Sequence, residues 1–142
     1  MTGAEAIDVL MLLRAGLPNA YLKLSEADTD AMVALWAEMF RDYPAGDVMA
    51  AAKTYIWQDT SGRFPSPGGI RQIIDSIQEA ASEYSYGTEY MTNERQYPPV
   101  VREYIAARGR EVYEQRTGLP FRPYTVRLAE NTRHMLTDGT GG

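Results

Sequence analysis

Cysteine is absent from the 142 residues, and histidine occurs once, at position 134. Without thiols there can be no disulfide, no thiolate nucleophile and no cysteine-based zinc site. A single imidazole cannot build a multi-histidine metal centre or a histidine-dependent nucleophilic triad, and His134 lies in a Gly/Thr-rich tail where a solvated side chain is expected. Long hydrophobic runs are missing too. No stretch approaches the roughly 18 apolar residues that a membrane-spanning helix needs. The first residues carry acids instead of the basic stretch of a secretory leader, and a cysteine-free chain suits a reducing, cytoplasmic setting.

Motifs with catalytic mechanics are equally scarce. No Gly-rich loop ends in Lys-Ser/Thr, which excludes a P-loop ATPase. Gly62 and Gly68-Gly69 have neither the spacing nor the preceding strand of a dinucleotide site. Asp28 and Asp30 could supply oxygen ligands to a hard cation. They fall in the first turn of a helix, however, where acids complement the helix dipole. The expectation is a protein without enzymatic activity, cofactor or metal.

Basic charge is short in one half only. Residues 1–82 carry 6 Lys/Arg against 11 Asp/Glu, whereas residues 83–142 carry 8 of each. Nucleic-acid binding draws largely on neutralising phosphates, so the acidic first part is a poor candidate for it and direct contact with DNA is not expected.

What is present is helical punctuation. Thr2 with Glu5 three residues on reads as a capping box, opening a helix with Ile7, Leu10 and Met11 that Pro18-Asn19 breaks. Ser25 caps a second helix, whose Met32, Leu35, Trp36, Met39 and Phe40 recur at helical spacing. Trp36 is expected in the core. Asp42-Tyr43-Pro44 ends it, and a third helix presents Val48, Ala51, Ala52, Tyr55 and Ile56. Trp57 falls at its end. Ser66-Pro67 then starts a fourth helix with an aliphatic stripe of Ile70, Ile73, Ile74 and Ile77. No alternating β-branched run competes, so the fold class is all-α with a small four-helix N-terminal bundle over residues 1–82.

Residues 83–97 lose periodicity and read as a linker or a lightly packed strap. Pro98-Pro99 starts a fifth helix with Val101, Ile105 and Val112, interrupted by Arg108 and by Gly109, which costs about 1 kcal/mol relative to Ala in a helix interior. A further short helix is expected near Val126–Leu136, so residues 98–142 form an arm of one or two helices and a tail. Seven of the ten tyrosines lie beyond residue 83, interleaved with arginines. Tyr and Arg are enriched at interface hot spots. This arm either straps onto the helical domain or contacts a partner, and its neutral charge favours protein over nucleic acid.

Leu12–Ile77 resembles the N-terminal domain of phage replicative-helicase loader/inhibitor proteins. The resemblance rests on Leu12-Leu13-Arg14-Ala15 running to Leu17-Pro18-Asn19, on Leu35-Trp36 and Met39-Phe40, and on Asp42-Tyr43-Pro44. Val48 to Lys53, Tyr55-Ile56 and Phe64-Pro65-Ser66-Pro67 complete the order. Here Ser66 separates the prolines, and Trp57–Gly62 is slightly longer than usual. About half of the chain is covered, mostly by helix-packing patterns. The resemblance implies an adaptor in the bacterial host cytoplasm that binds the hexameric replicative helicase, restrains it and helps deliver it to an origin-bound initiator. On this reading Val101, Tyr104, Ile105, Arg108 and Tyr113 face the helicase, with Leu119 and Phe121 as flanking anchors. Two other readings stand beside it: an acidic inhibitor that mimics DNA to block a host enzyme, and a phage structural or assembly chaperone.

Overall fold

The computed structural model describes residues 1–20, 25–86 and 96–121, which form five α-helices and one short 3-10 turn, with no strand among the described residues. The helices are α1 (Gly3–Gly16), α2 (Glu26–Met39), α3 (Ala45–Gln58), α4 (Pro67–Tyr84) and α5 (Pro99–Thr117), and the 3-10 turn is Pro18–Ala20.

Three helices begin where capping chemistry places them. Thr2 Oγ1 accepts from the Glu5 N–H at 3.2 Å, while the Glu5 carboxylate accepts from the Thr2 N–H at 3.0 Å. The Thr2 N–H holds Glu5 below the usual carboxylate range. Ser25 and Ser66 accept from the Asp28 and Gly69 N–H groups, each at 3.1 Å. The helices α3 and α5 start behind Pro44 and Pro98 without a side-chain cap. At its far end α5 stops on Gly118, whose φ of 71° lies in the left-handed region that glycine enters without a Cβ penalty.

The polyalanine turn at the centre of α3 organises the packing. Ala50, Ala51 and Ala52 are all buried, so α1 and α4 approach a smooth surface, and α5 also touches α3. One continuous hydrophobic cluster runs from Ala6, Val9 and Leu13 through Trp36, Phe40 and Val48 to Ile70, Ile74 and Ile77, and on to Tyr97, Val101 and Ile105. The all-α fold, a small bundle plus a further helix, is the one expected, and α5 packs into the same core as the helices before it. The boundary of the expected linker moves: α4 continues to Tyr84, and Tyr84, Ser85 and Tyr97 are buried. The expected helix near Val126–Leu136 and His134 lie outside the described residues.

Gly109 explains how α5 gets so close. A Cβ at this position would meet Tyr84 carbons at 2.7 and 2.9 Å and the Ala81 carbonyl oxygen at 2.9 Å. The propensity cost of a mid-helix glycine is offset by the intimate crossing of α4 and α5 that it permits. Farther along, Ser76 and Tyr97 hydroxyls hydrogen-bond each other, and Gln96 Nε2 donates to both at 3.2 Å.

Candidate protein-binding surface

The side of the molecule built by α1 and α2 leaves an apolar depression open to solvent. A groove of about 310 Å³ is lined by Ile7, Leu10, Met11 and Leu17 on one side, Met32 and Val33 on the other, and Phe64 below. Phe64 comes from the α3–α4 loop and sets its ring edge-on to Trp36, 6.1 Å between centroids, so the floor is tied to the core. Arg14 and Asp30 provide the charged edges. Ile7 is 44% exposed and Met11 64%.

On α2 the apolar stripe continues past the groove. Leu35 and Met39 follow Met32 at three- and seven-residue spacing, which keeps them on one side of a helix, and they are 44% and 54% exposed. Trp36 is buried as expected from its stripe, and Phe40 with it. Met32 is partly buried against the same core, whereas Leu35 and Met39, of the same stripe, are exposed. The width of that stripe, five large apolar residues where three reach the core, was the available signal for a second face.

The walls of the groove are held in place at both ends. At one end the α-amino group of Met1 donates to the carbonyls of Phe40, Arg41 and Tyr43, each at 3.2 Å, tying the start of α1 to the end of α2. At the other, Leu17 is buried and its N–H closes α1 on the Leu13 carbonyl at 2.9 Å. Acids outnumber bases on these two helices. The two helices carry Glu5, Asp8, Glu26, Asp28, Asp30 and Glu38 against Arg14, and all but Glu5 are exposed.

The residues expected to face a helicase lie elsewhere, and most point inward. Val101 and Ile105 are buried in the core cluster, and Tyr113 is buried beside Phe121 with their rings perpendicular at 5.4 Å. Phe121 also stacks on Tyr84 at 5.3 Å. Tyr104 donates to the carboxylate of Asp47, and Arg108 pairs with Glu111 at 3.0 Å. Leu119 alone among the seven is well exposed, at 59%. Their apolar periodicity is real, but it matches α3 and α4. The strap alternative describes what this helix does in the fold.

A second, smaller cavity of about 140 Å³ sits where α3, α4 and α5 meet, lined by Asp47, Ile77, Gln78, Ala81, Arg108 and Val112. Asp47 is 1% exposed. Its two carboxylate oxygens accept from Gln78 Nε2 at 3.0 Å and from the Tyr104 hydroxyl. With its donors supplied by the neighbouring helices, Asp47 acts as a polar clamp across three elements. Trp57, at the end of α3, is 54% exposed.

No protein-family model, no curated protein and no solved structure matches this chain.

Proposed function

We propose that the chain is a non-enzymatic adaptor that holds a protein partner on its α1–α2 face, and that the partner is a hexameric replicative helicase whose activity and loading it restrains. The observation that carries the adaptor reading is the open apolar groove continued by Leu35 and Met39. A protein of this size gains by burying such side chains, each worth about 1.5–3 kcal/mol when fully covered, and large exposed apolar patches mark interaction sites. The helicase is supported by the resemblance of Leu12–Ile77, and the Phe64-Pro65-Ser66-Pro67 segment within it also supplies the groove floor.

Restraint by an adaptor needs differential affinity: the bound form of the hexamer must be stabilised relative to the active one. The test mixes the purified chain with a purified bacterial replicative helicase hexamer and follows complex formation by sedimentation and ATP hydrolysis in parallel. A complex at micromolar concentration with lowered ATP turnover is expected. Absence of a complex together with unchanged turnover overturns the helicase assignment.

A further inference from the structure

We infer that the α1–α2 groove takes a basic amphipathic helix from its protein partner, with the apolar stripe of that helix seated between Met11 and Met32 and its flanking Lys/Arg side chains meeting the acidic rim. This rests on the adaptor reading above and specifies the chemistry of what is held.

Shape is the first argument. The groove is lined from Ile7 to Arg14 along α1 and from Thr29 to Val33 along α2, about 10 and 6 Å of helix, which suits one to two turns of a partner helix. The described backbone on this face is helical apart from the loop residues Leu17 and Phe64, and none of it is strand. No strand edge offers main-chain hydrogen bonds there, so recognition must run through side chains, the helix-in-groove mode. Methionine supports the same reading. Its unbranched, polarisable side chain adapts to varied apolar surfaces, and Met11 and Met32 stand on opposite walls with Met39 continuing one of them.

Charge selects the sign. Asp8 lies on α1, while Glu26, Asp28, Asp30 and Glu38 lie on α2, all exposed; Asp30 and the one base of the two helices, Arg14, both line the groove. Such a rim attracts a cationic helix and repels an acidic one. An apolar floor on two helices with a net excess of acid gives affinity and orientation by separate means, so salt weakens the charge contribution and leaves the apolar part.

The test uses two synthetic helical peptides of about five turns with the same leucine stripe, one flanked by lysines and the other by glutamates, titrated into the full chain at low salt. The lysine peptide is expected to bind at least tenfold more tightly than the glutamate peptide. Met11→Asp, at a 64% exposed position, should abolish its binding while leaving the circular dichroism melt unchanged. Asp30→Lys should shift the preference toward the glutamate peptide without removing the groove. Equal affinity for both peptides, or binding that survives Met11→Asp, overturns the proposal. A concentration-dependent dimer that Met11→Asp dissolves also overturns it, by giving the groove to a second copy. Should the helicase hexamer bind wild type and Met11→Asp alike, the groove assignment fails while the helicase assignment stands.

Discussion

The Tyr104 hydroxyl on α5 donates to the carboxylate of Asp47 in the first turn of α3, 57 residues away in sequence. Gly46 makes room for it, since a Cβ there would come within 3.0 Å of the phenol oxygen. This contact and Gln78 on α4 satisfy a carboxyl group that is almost wholly withdrawn from water, so the three helices share one polar clamp.

Removing the clamp's hydroxyl should therefore cost stability. Tyr104→Phe keeps the ring but leaves Asp47 with one donor fewer, an expected loss of about 1–3 kcal/mol in urea unfolding. An unchanged midpoint contradicts the clamp. Burial, reinforced by Asp47, also pushes the Tyr104 phenol well above its ordinary value, which is near 10. Its protonated form is favoured by folding. The associated stability is present below about pH 10 and is lost as pH rises through the folded-state value. In a 295 nm titration, the difference between wild type and Tyr104→Phe should contain no ionising tyrosine until unfolding begins.

Gly109→Ala offers a test in which propensity and packing disagree. Alanine favours an isolated helix by about 1 kcal/mol, yet its methyl group would collide with the Ala81 carbonyl oxygen and with Tyr84. We expect net destabilisation of about 1–3 kcal/mol, as for overpacked cores, read as a lowered melting temperature. Gly68→Ala has only ordinary contact with Ser66, at 3.9 Å, and should be neutral or slightly stabilising.

The α3–α4 turn should respond to acid. Asp59 accepts from the Ser61 hydroxyl and from the Gly62 N–H, both at 2.7 Å, and these bonds, led by the Ser61 hydroxyl, hold its carboxyl below the ordinary range. A depressed carboxylate stabilises the fold above its unfolded value, about 3.9, and that contribution disappears as pH falls through the lower folded value. Denaturant midpoints of wild type should fall more steeply below about pH 4 than those of Asp59→Asn. Parallel curves contradict the assignment.

Local signals in the sequence located the helices because caps act within a few residues. Thr2, Ser25, Ser66 and Pro67 each mark a helix start that the structure keeps. Periodicity located apolar faces but could not name what covers them. Val101 and Ile105 have the same spacing whether they meet α4 or another protein, and only the three-dimensional approach through Gly109 settles the matter. Conversely, Leu35 and Met39 read as core because a helix stripe gives no account of how many neighbours it has. Asp47 gave no signal at all. A single acid in a first helical turn is ordinary, and its partners, Gln78 and Tyr104, come from remote segments.

The seat of partner binding is decided most directly by titrating the helicase hexamer with wild type, Met11→Asp and Leu119→Asp in one calorimetric series. Both substituted side chains are exposed, so the fold is retained in each and the comparison separates the α1–α2 groove from the end of α5. Binding that is lost with Met11→Asp and kept with Leu119→Asp is the outcome the groove requires. Binding that is kept with Met11→Asp and lost with Leu119→Asp contradicts it and returns the interface to the end of α5.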